Sequence, residues 1–219
     1  MIKLYGMGVS FNVSKVRYCL NYLNLKYDWV QTNLMAGENQ TPEFLSISPT
    51  GKIPAVEIDG FKLFESNSII RYLAAINNSS IYPLDAKKRA LIDAWMDYIA
   101  IHVAHALGRV LFNRVFAPMS NQKVDSESIR VGLEFLGKYF PVLEKQLSKN
   151  TYLAGKEFSL ADMCLLAVLD PCELAEINID RFPSLKKWRA NLKPQPFYQK
   201  CYKDYTEFVQ ESINAKAGK

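Results

Sequence analysis

Ser48-Pro49-Thr50-Gly51-Lys52-Ile53-Pro54-Ala55-Val56-Glu57-Ile58-Asp59-Gly60-Phe61-Lys62-Leu63-Phe64-Glu65-Ser66-Asn67-Ser68 is the stretch on which the fold turns. At its centre AVEI and FKLF alternate apolar and polar residues on either side of Asp59-Gly60, a dipeptide that tolerates the positive φ angles of a two-residue type I′ turn. Residues 55–64 are therefore predicted as a β-hairpin. Glu65-Ser66-Asn67-Ser68 then offers N-caps ahead of Ile69, Ile70, Leu73 and Ile76, whose three- and four-residue spacing predicts an amphipathic helix.

Upstream, IKLYG at residues 2–6 reads as a buried strand. Val13, Val16, Leu20 and Leu23 mark one face of a helix, and Tyr27–Leu34 returns to strand composition before Ala36-Gly37-Glu38-Asn39-Gln40-Thr41-Pro42 breaks it. The order is β-α-β followed by β-β-α, ending near residue 77. Downstream, Asn77–Asp85 reads as a linker, after which the pattern is purely helical. One helix is expected over Lys87–Leu111; a second carries Ile129, Leu133, Leu136, Phe140, Leu143 and Leu147, with a kink expected at Pro141. Ser159-Leu160-Ala161-Asp162 resembles a capping box, with Asp in the usual Glu position, and opens a buried helix at Leu160. The chain is expected to divide into residues 1–78, a linker at 79–86, and an all-helical part at 87–219.

A chain of 219 residues, 49% of them hydrophobic, can bury a substantial core. Its longest strongly apolar stretch, Met163–Leu169, is far short of a bilayer span, and MIKLYGMG runs directly into a strand pattern; a soluble protein without a cleaved signal is expected. The net charge of +5 divides as +1 over residues 1–80 and +4 over the remainder, with acidic residues interspersed, so no nucleic-acid-binding block stands out. Four scattered cysteines (Cys19, Cys164, Cys172, Cys201) and only two histidines (His102, His105) indicate a reducing compartment and no structural zinc.

The element order together with three motifs resembles the soluble glutathione transferases over essentially the whole chain. The motifs are Ser48 to Val56, Phe64-Glu65-Ser66-Asn67-Ser68-Ile69-Ile70-Arg71-Tyr72-Leu73, and Gly155-Lys156-Glu157-Phe158-Ser159-Leu160-Ala161-Asp162. The resemblance implies an α+β thioredoxin-like N-terminal domain (βαβ-ββα) followed by an all-α helical bundle. It implies a cis Ile53-Pro54 bond, leaving the Ile53 N–H and C=O free for the backbone of an extended tripeptide. On the bland reading, Pro54 only starts a strand. Ser66, where strand hands over to helix, joins the free N–H groups of the first turn as a site for the γ-glutamyl carboxylate, and Glu65 can accept from the α-amino group; both also read as ordinary helix-start residues.

The catalytic position is expected in the loop Gly6-Met7-Gly8-Val9-Ser10-Phe11-Asn12. Ser10, by its spacing to Val16, matches the serine of the phi-like arrangement within the serine-type (phi, theta, delta) classes, whose hydroxyl donates to the glutathione sulfur. A donor beside a thiolate at a helix N-terminus lowers the thiol pKa and enlarges the nucleophilic fraction. Tyr5 stands where tyrosine-type classes carry their hydroxyl, but also reads as core; Ser14 reads as a cap; Asn12 is a second donor in the same loop. No cysteine occupies the loop, so mixed-disulfide chemistry is not expected, and Cys19 reads as core. Asn39 and Gln40 stand where the phi-like pattern has His and Lys for the glycyl carboxylate, with Lys52 available from the other side. Met7, Phe11, His105, Phe112 and Phe116 are candidate walls of an electrophile pocket. Packing and dimer contacts are the alternative for the helix that carries His105.

The activity implied is conjugation of reduced glutathione to small hydrophobic electrophiles, or reduction of organic hydroperoxides. Glutathione is co-substrate, with no permanently bound cofactor and no metal, in a cytoplasmic homodimer with neither nucleic-acid nor membrane partners. The alternative is a non-catalytic glutathione-transferase-like binding or scaffold protein. A glutathione-dependent isomerase or dehydroascorbate-type reductase would share the glutathione site, but its distinguishing cysteine motif is absent from the sequence.

Overall fold

A computed structural model describes residues 1–201. Strand β1 (Ile2–Gly6) leads through a short loop into helix α1 (Phe11–Tyr22) and back to β2 (Asp28–Gln31). The second strand is shorter than the expected Tyr27–Leu34. The Asn33 Oδ1 accepts from the N–H groups of Met35 and Ala36 at 3.0 and 3.1 Å, winding Leu34–Ala36 into a 3-10 turn. A further turn at Glu38–Gln40 and the short helix α2 (Pro42–Leu45), with Pro42 at its first position, connect to β3 (Ala55–Ile58), β4 (Phe61–Phe64) and α3 (Ser66–Ile76).

The sheet order is β2-β1-β3-β4, with β1 parallel to β2 and antiparallel to β3, and β3 antiparallel to β4. Asp59 and Gly60 adopt φ of 49° and 85°, as the two-residue turn requires. The alternation expected in the hairpin is only partly realised: Ala55, Val56 and Ile58 are buried, whereas the edge strand exposes Phe61 and Lys62. Strand register decides where the connecting loops emerge. Tyr5 pairs with Ala55 and Ala55 with Phe64, so the end of β1, the start of β3 and the end of β4 lie side by side. The loops leaving these three points open on the same end of the sheet.

After α3 the chain is helical. Helix α4 (Ala86–Tyr98), a π-helical turn at Ile99–Val103, α5 (Ala104–Leu111), a second π-turn at Phe112–Phe116 and α6 (Ala117–Met119) make one continuous run, extending past the expected Leu111. Helix α7 (Ser126–Leu147) is unbroken through Pro141, which is exposed. Gly132 lets α7 approach α5: a Cβ there would lie 2.8 Å from both the Ala106 carbonyl oxygen and the Val110 Cγ2. Helix α8 (Leu160–Leu169) is buried on every side, and α9 (Pro183–Leu192) and α10 (Pro196–Gln199) complete the described fold.

Two buried carboxylates organise this half. Asp162 accepts from the N–H of Leu153 (2.9 Å), the N–H and hydroxyl of Ser159 (3.0 and 2.9 Å) and the Trp188 indole (3.1 Å), so the Ser159–Asp162 motif caps α8 and ties it to α9. Asp170, just beyond α8, accepts from the hydroxyls of Tyr198 (2.8 Å) and of Tyr18 on α1, which joins the helical half to the sheet-bearing half. All four cysteines are free and buried, Cys19 in the core as expected. Among the described residues, no helix is long and apolar enough to cross a membrane.

Candidate active site

The three loops at the end of the sheet meet α4–α5 around a cavity of about 370 Å³. From α1 come Phe11, Asn12 and Lys15. The loop before β3 supplies Ser48, Thr50, Lys52, Ile53 and Pro54, the β4–α3 junction Glu65, Ser66 and Asn67, and the helical half Ala100, Ala104 and His105.

Each part has a local cause. The Ile53-Pro54 bond is cis and β3 begins its ladder only at Ala55, so the Ile53 backbone stays outside the sheet pairing. The Ser48 hydroxyl donates to the Lys52 carbonyl (2.8 Å) and the Gly51 N–H to the Ser48 carbonyl (2.9 Å), closing the loop on itself. Gly51 sits at φ +62°, a conformation L side chains rarely adopt, and a Cβ there would lie 3.2 Å from the Asn39 carbonyl oxygen and press on the Gln40 carboxamide, so glycine suits the close approach of this loop to the 38–40 turn. Asn39 Nδ2 donates to the Gly51 carbonyl (2.8 Å), fastening the two loops together.

Helix α3 begins at Ser66 behind Glu65, which adopts φ +68°, a conformation L residues rarely take. No side chain caps the start of α3, so its first-turn N–H groups join Ser66 and Asn67 at the cavity as positive ends of the helix dipole. The same holds for α1. Ser10 is its N-cap residue, but its hydroxyl makes no capping bond, and the first turn of α1 carries no acidic residue. Two helix N-termini, both without a side-chain cap, therefore converge on one cavity, an arrangement suited to an anionic ligand.

Beneath them Lys15 is 2% exposed. Its Nζ donates to the Oδ1 atoms of Asn12 (2.9 Å) and Asn67 (3.5 Å), and the Ser66 hydroxyl donates to Asn12 Oδ1 (3.5 Å). Burial pulls the lysine's pKa down, while Cys164 and Glu65 act in the opposite direction. Among the described residues, no group of three His, Cys, Asp or Glu side chains is placed to hold a metal ion.

A glutathione S-transferase N-terminal domain is matched over residues 1–75 and a glutathione S-transferase C-terminal domain over residues 110–196. The chain is 32% identical over 207 residues to glutathione S-transferase F13 of Arabidopsis thaliana, covering 91% of this chain and 94% of that protein. The chain belongs to the glutathione S-transferase family. It is also 32% identical over 203 residues to glutathione S-transferase 1 of Zea mays, covering 91% of this chain and 94% of the relative. Among solved structures it is similar to a glutathione S-transferase-I bound with lactoylglutathione (TM-score 0.85, 30% identity, 91% of this chain and 97% of that one). It also resembles a theta-class glutathione S-transferase of Xanthomonas axonopodis pv. citri with glutathione bound (TM-score 0.84, 28% identity, 91% and 96%).

In this glutathione S-transferase, Phe11, Asn12, Lys52, Ile53, Pro54, Glu65, Ser66 and His105, all singled out from sequence, line the one cavity. Ser10, Asn39, Gln40, Met7, Phe112 and Phe116 are not among its lining residues. Ser10 adjoins Phe11 at the mouth of α1, whereas Asn39 is occupied in tying the two loops. Phe112 follows His105 by seven residues, roughly 10 Å further along the helix axis, and Phe116 lies one π-turn beyond it. Tyr5 packs edge-on against Phe44, with ring centroids 6.2 Å apart, in a small cluster with Ile47, Ile53 and Ala55, which favours its core reading. Ser14 is buried inside α1 and caps nothing. Lys15, Asn67, Ser48, Thr50, Ala100 and Ala104 line the cavity without having been anticipated. Lys15 carried a usable signal, because three residues after Asn12 on a helix is the same face.

Proposed function

We propose that this glutathione transferase binds reduced glutathione across the cavity and adds its thiolate to small hydrophobic electrophiles, with Ser10 as donor to the sulfur. The observation that carries the reading is the convergence of two helix N-termini without side-chain caps and the unpaired Ile53 backbone on one cavity. The cysteinyl unit pairs with Ile53, the γ-glutamyl carboxylate takes the Ser66 hydroxyl and the N–H groups of the first turn of α3, and Glu65 accepts from the α-amino group. Lys52 and Gln40 attend the glycyl carboxylate. Catalysis then consists of raising the thiolate fraction and holding it beside an apolar acceptor; reduction of organic hydroperoxides draws on the same thiolate.

The chain is proposed to divide at 1–78, 79–86 and 87–219 and to act as a cytoplasmic homodimer; its four free cysteines support a reducing compartment. The test is conjugation of glutathione to a simple aromatic chloride, with calorimetric binding of glutathione alongside. Ser10→Ala is expected to lower kcat by about 10²-fold or more while glutathione still binds, and Tyr5→Phe to leave it within about twofold. Binding without turnover in the wild type would instead support the scaffold reading.

A further inference from the structure

Lys15 is a buried amine that the proposed reaction does not use. Among the described residues, no carboxylate comes within salt-bridge distance of it: its surroundings comprise the Phe11 ring (Nζ to centroid 5.9 Å), the two carboxamides, the Cys164 thiol from α8, and Glu65 at longer range. An ammonium has donors and no acceptor, so an asparagine facing it must present its oxygen. Asn12 does so, with Oδ1 taking Lys15 Nζ and the Ser66 hydroxyl. Asn67 does the same, with Oδ1 taking Lys15 Nζ and the Cys164 S–H (3.4 Å), a thiol whose pKa burial pushes up to about 11 so that its proton stays in place. Fixing both oxygens inward fixes both nitrogens outward. Neither Nδ2 donates to a protein acceptor among the described residues, and both asparagines line the cavity.

We propose that Lys15 is the positioning residue of the site: by holding the oxygens of Asn12 and Asn67 from below, it turns both amide groups into donors toward bound glutathione. Asn12, two residues beyond Ser10 at the start of α1, donates to the sulfur. Asn67, in the first turn of α3 beside Ser66, donates to the γ-glutamyl carboxylate. An amide free to rotate would spend part of its time presenting a carbonyl oxygen to the thiolate, and each such orientation removes a donor and adds a repulsive dipole. The lysine acts through the asparagines and does not itself touch the ligand.

The proposal rests on the transferase reading, and the experiment separates the two. The ultraviolet thiolate band of the enzyme–glutathione complex is titrated against pH, together with the pH profile of kcat/KM, for wild type, Lys15→Met, Lys15→Arg, Asn12→Ala and Lys15→Met/Asn12→Ala. Lys15→Met is expected to raise the bound thiol's pKa by about one unit, lowering kcat/KM about tenfold on the acid side and leaving it near wild type at high pH. Lys15→Arg, still donor-only, restores the profile, and in the Asn12→Ala background Lys15→Met shifts nothing further. Should Lys15→Met not fold, Lys15→Gln replaces it with a neutral side chain that no longer dictates the amide's orientation, and about half the shift is expected. An unchanged titration in Lys15→Met or Lys15→Gln overturns the proposal, as does an equal shift with and without Asn12. Absence of a thiolate band in the wild type at any pH overturns the transferase reading instead.

Discussion

Asp170 is the residue at which chemistry and architecture conflict most directly. Its carboxylate is 4% exposed, and burial pushes its pKa up to about 7 against the opposing effect of the Tyr18 and Tyr198 hydroxyls. A folded-state value above the unfolded one means that the native protein binds this proton more tightly. The group's contribution to stability is therefore present in full below about pH 4 and is lost as pH rises toward 7. Asp162, raised to about 6 by the same cause, adds a slope of the same sign. Asp170→Asn cannot ionise. Urea unfolding of wild type and variant between pH 4.5 and 7.5 is expected to show the wild type losing ground to the variant as pH increases, and a constant difference across that range would contradict the account. The carboxylate's partners, Tyr18 and Tyr198, are separated from it by 152 and 28 residues of chain, and no local pattern pairs them.

At the scale of elements, the hairpin was legible because Asp59-Gly60 restricts the backbone locally, and α8 because a serine and a carboxylate three residues apart can satisfy its first N–H groups. The second strand was overread because its end depends on one side chain, Asn33, competing with the ladder. The π-turns left no apolar signature, so the helical run through α4, α5 and α6 was read as ending at Leu111, short of its observed end, and its more distant aromatics were carried onto the cavity. The loops around the site were legible at Ile53, Pro54, Glu65 and Ser66, where special backbone residues stand. They were not legible at Lys15 and Asn67, whose meaning comes only from facing each other across two helices. The α5–α7 crossing supplies a test at this level. Gly132→Ala forces a Cβ to within 2.8 Å of the Ala106 carbonyl oxygen, a backbone atom that cannot swing aside. A loss of about 1–3 kcal/mol in denaturant unfolding is expected, with glutathione affinity little changed because the crossing lies outside the cavity.

Across the whole molecule the site belongs to neither half alone. Its floor comes from α1 and α3, its far wall from Ala100, Ala104 and His105, and α1 packs on α3, α8 and α10 together. The surface also carries unsatisfied apolar area: Phe61 is 48% exposed, Leu91 55% and Ile101 64%. A second copy covering such residues fits the proposed homodimer. Light scattering at micromolar concentration is expected to give about 50 kDa, twice the 25.0 kDa chain, and a stable monomer would end that proposal.

A catalyst that brings electrophiles to a thiolate also risks being alkylated by them. Its own thiols are Cys19, Cys164, Cys172 and Cys201, each 5% exposed or less. Burial drives the pKa of Cys164 and Cys201 to about 11, that of Cys172 to about 12, and that of Cys19 higher still. Burial holds them in the thiol form at neutral pH as well as out of reach, so the one thiolate at the site is the one that arrives with the ligand. A chromogenic disulfide should find no reactive thiol in the native protein and four in denaturant, whereas fast labelling of even one native cysteine would contradict this. The protein survives its own reaction by keeping every thiol of its own where its substrates cannot find it.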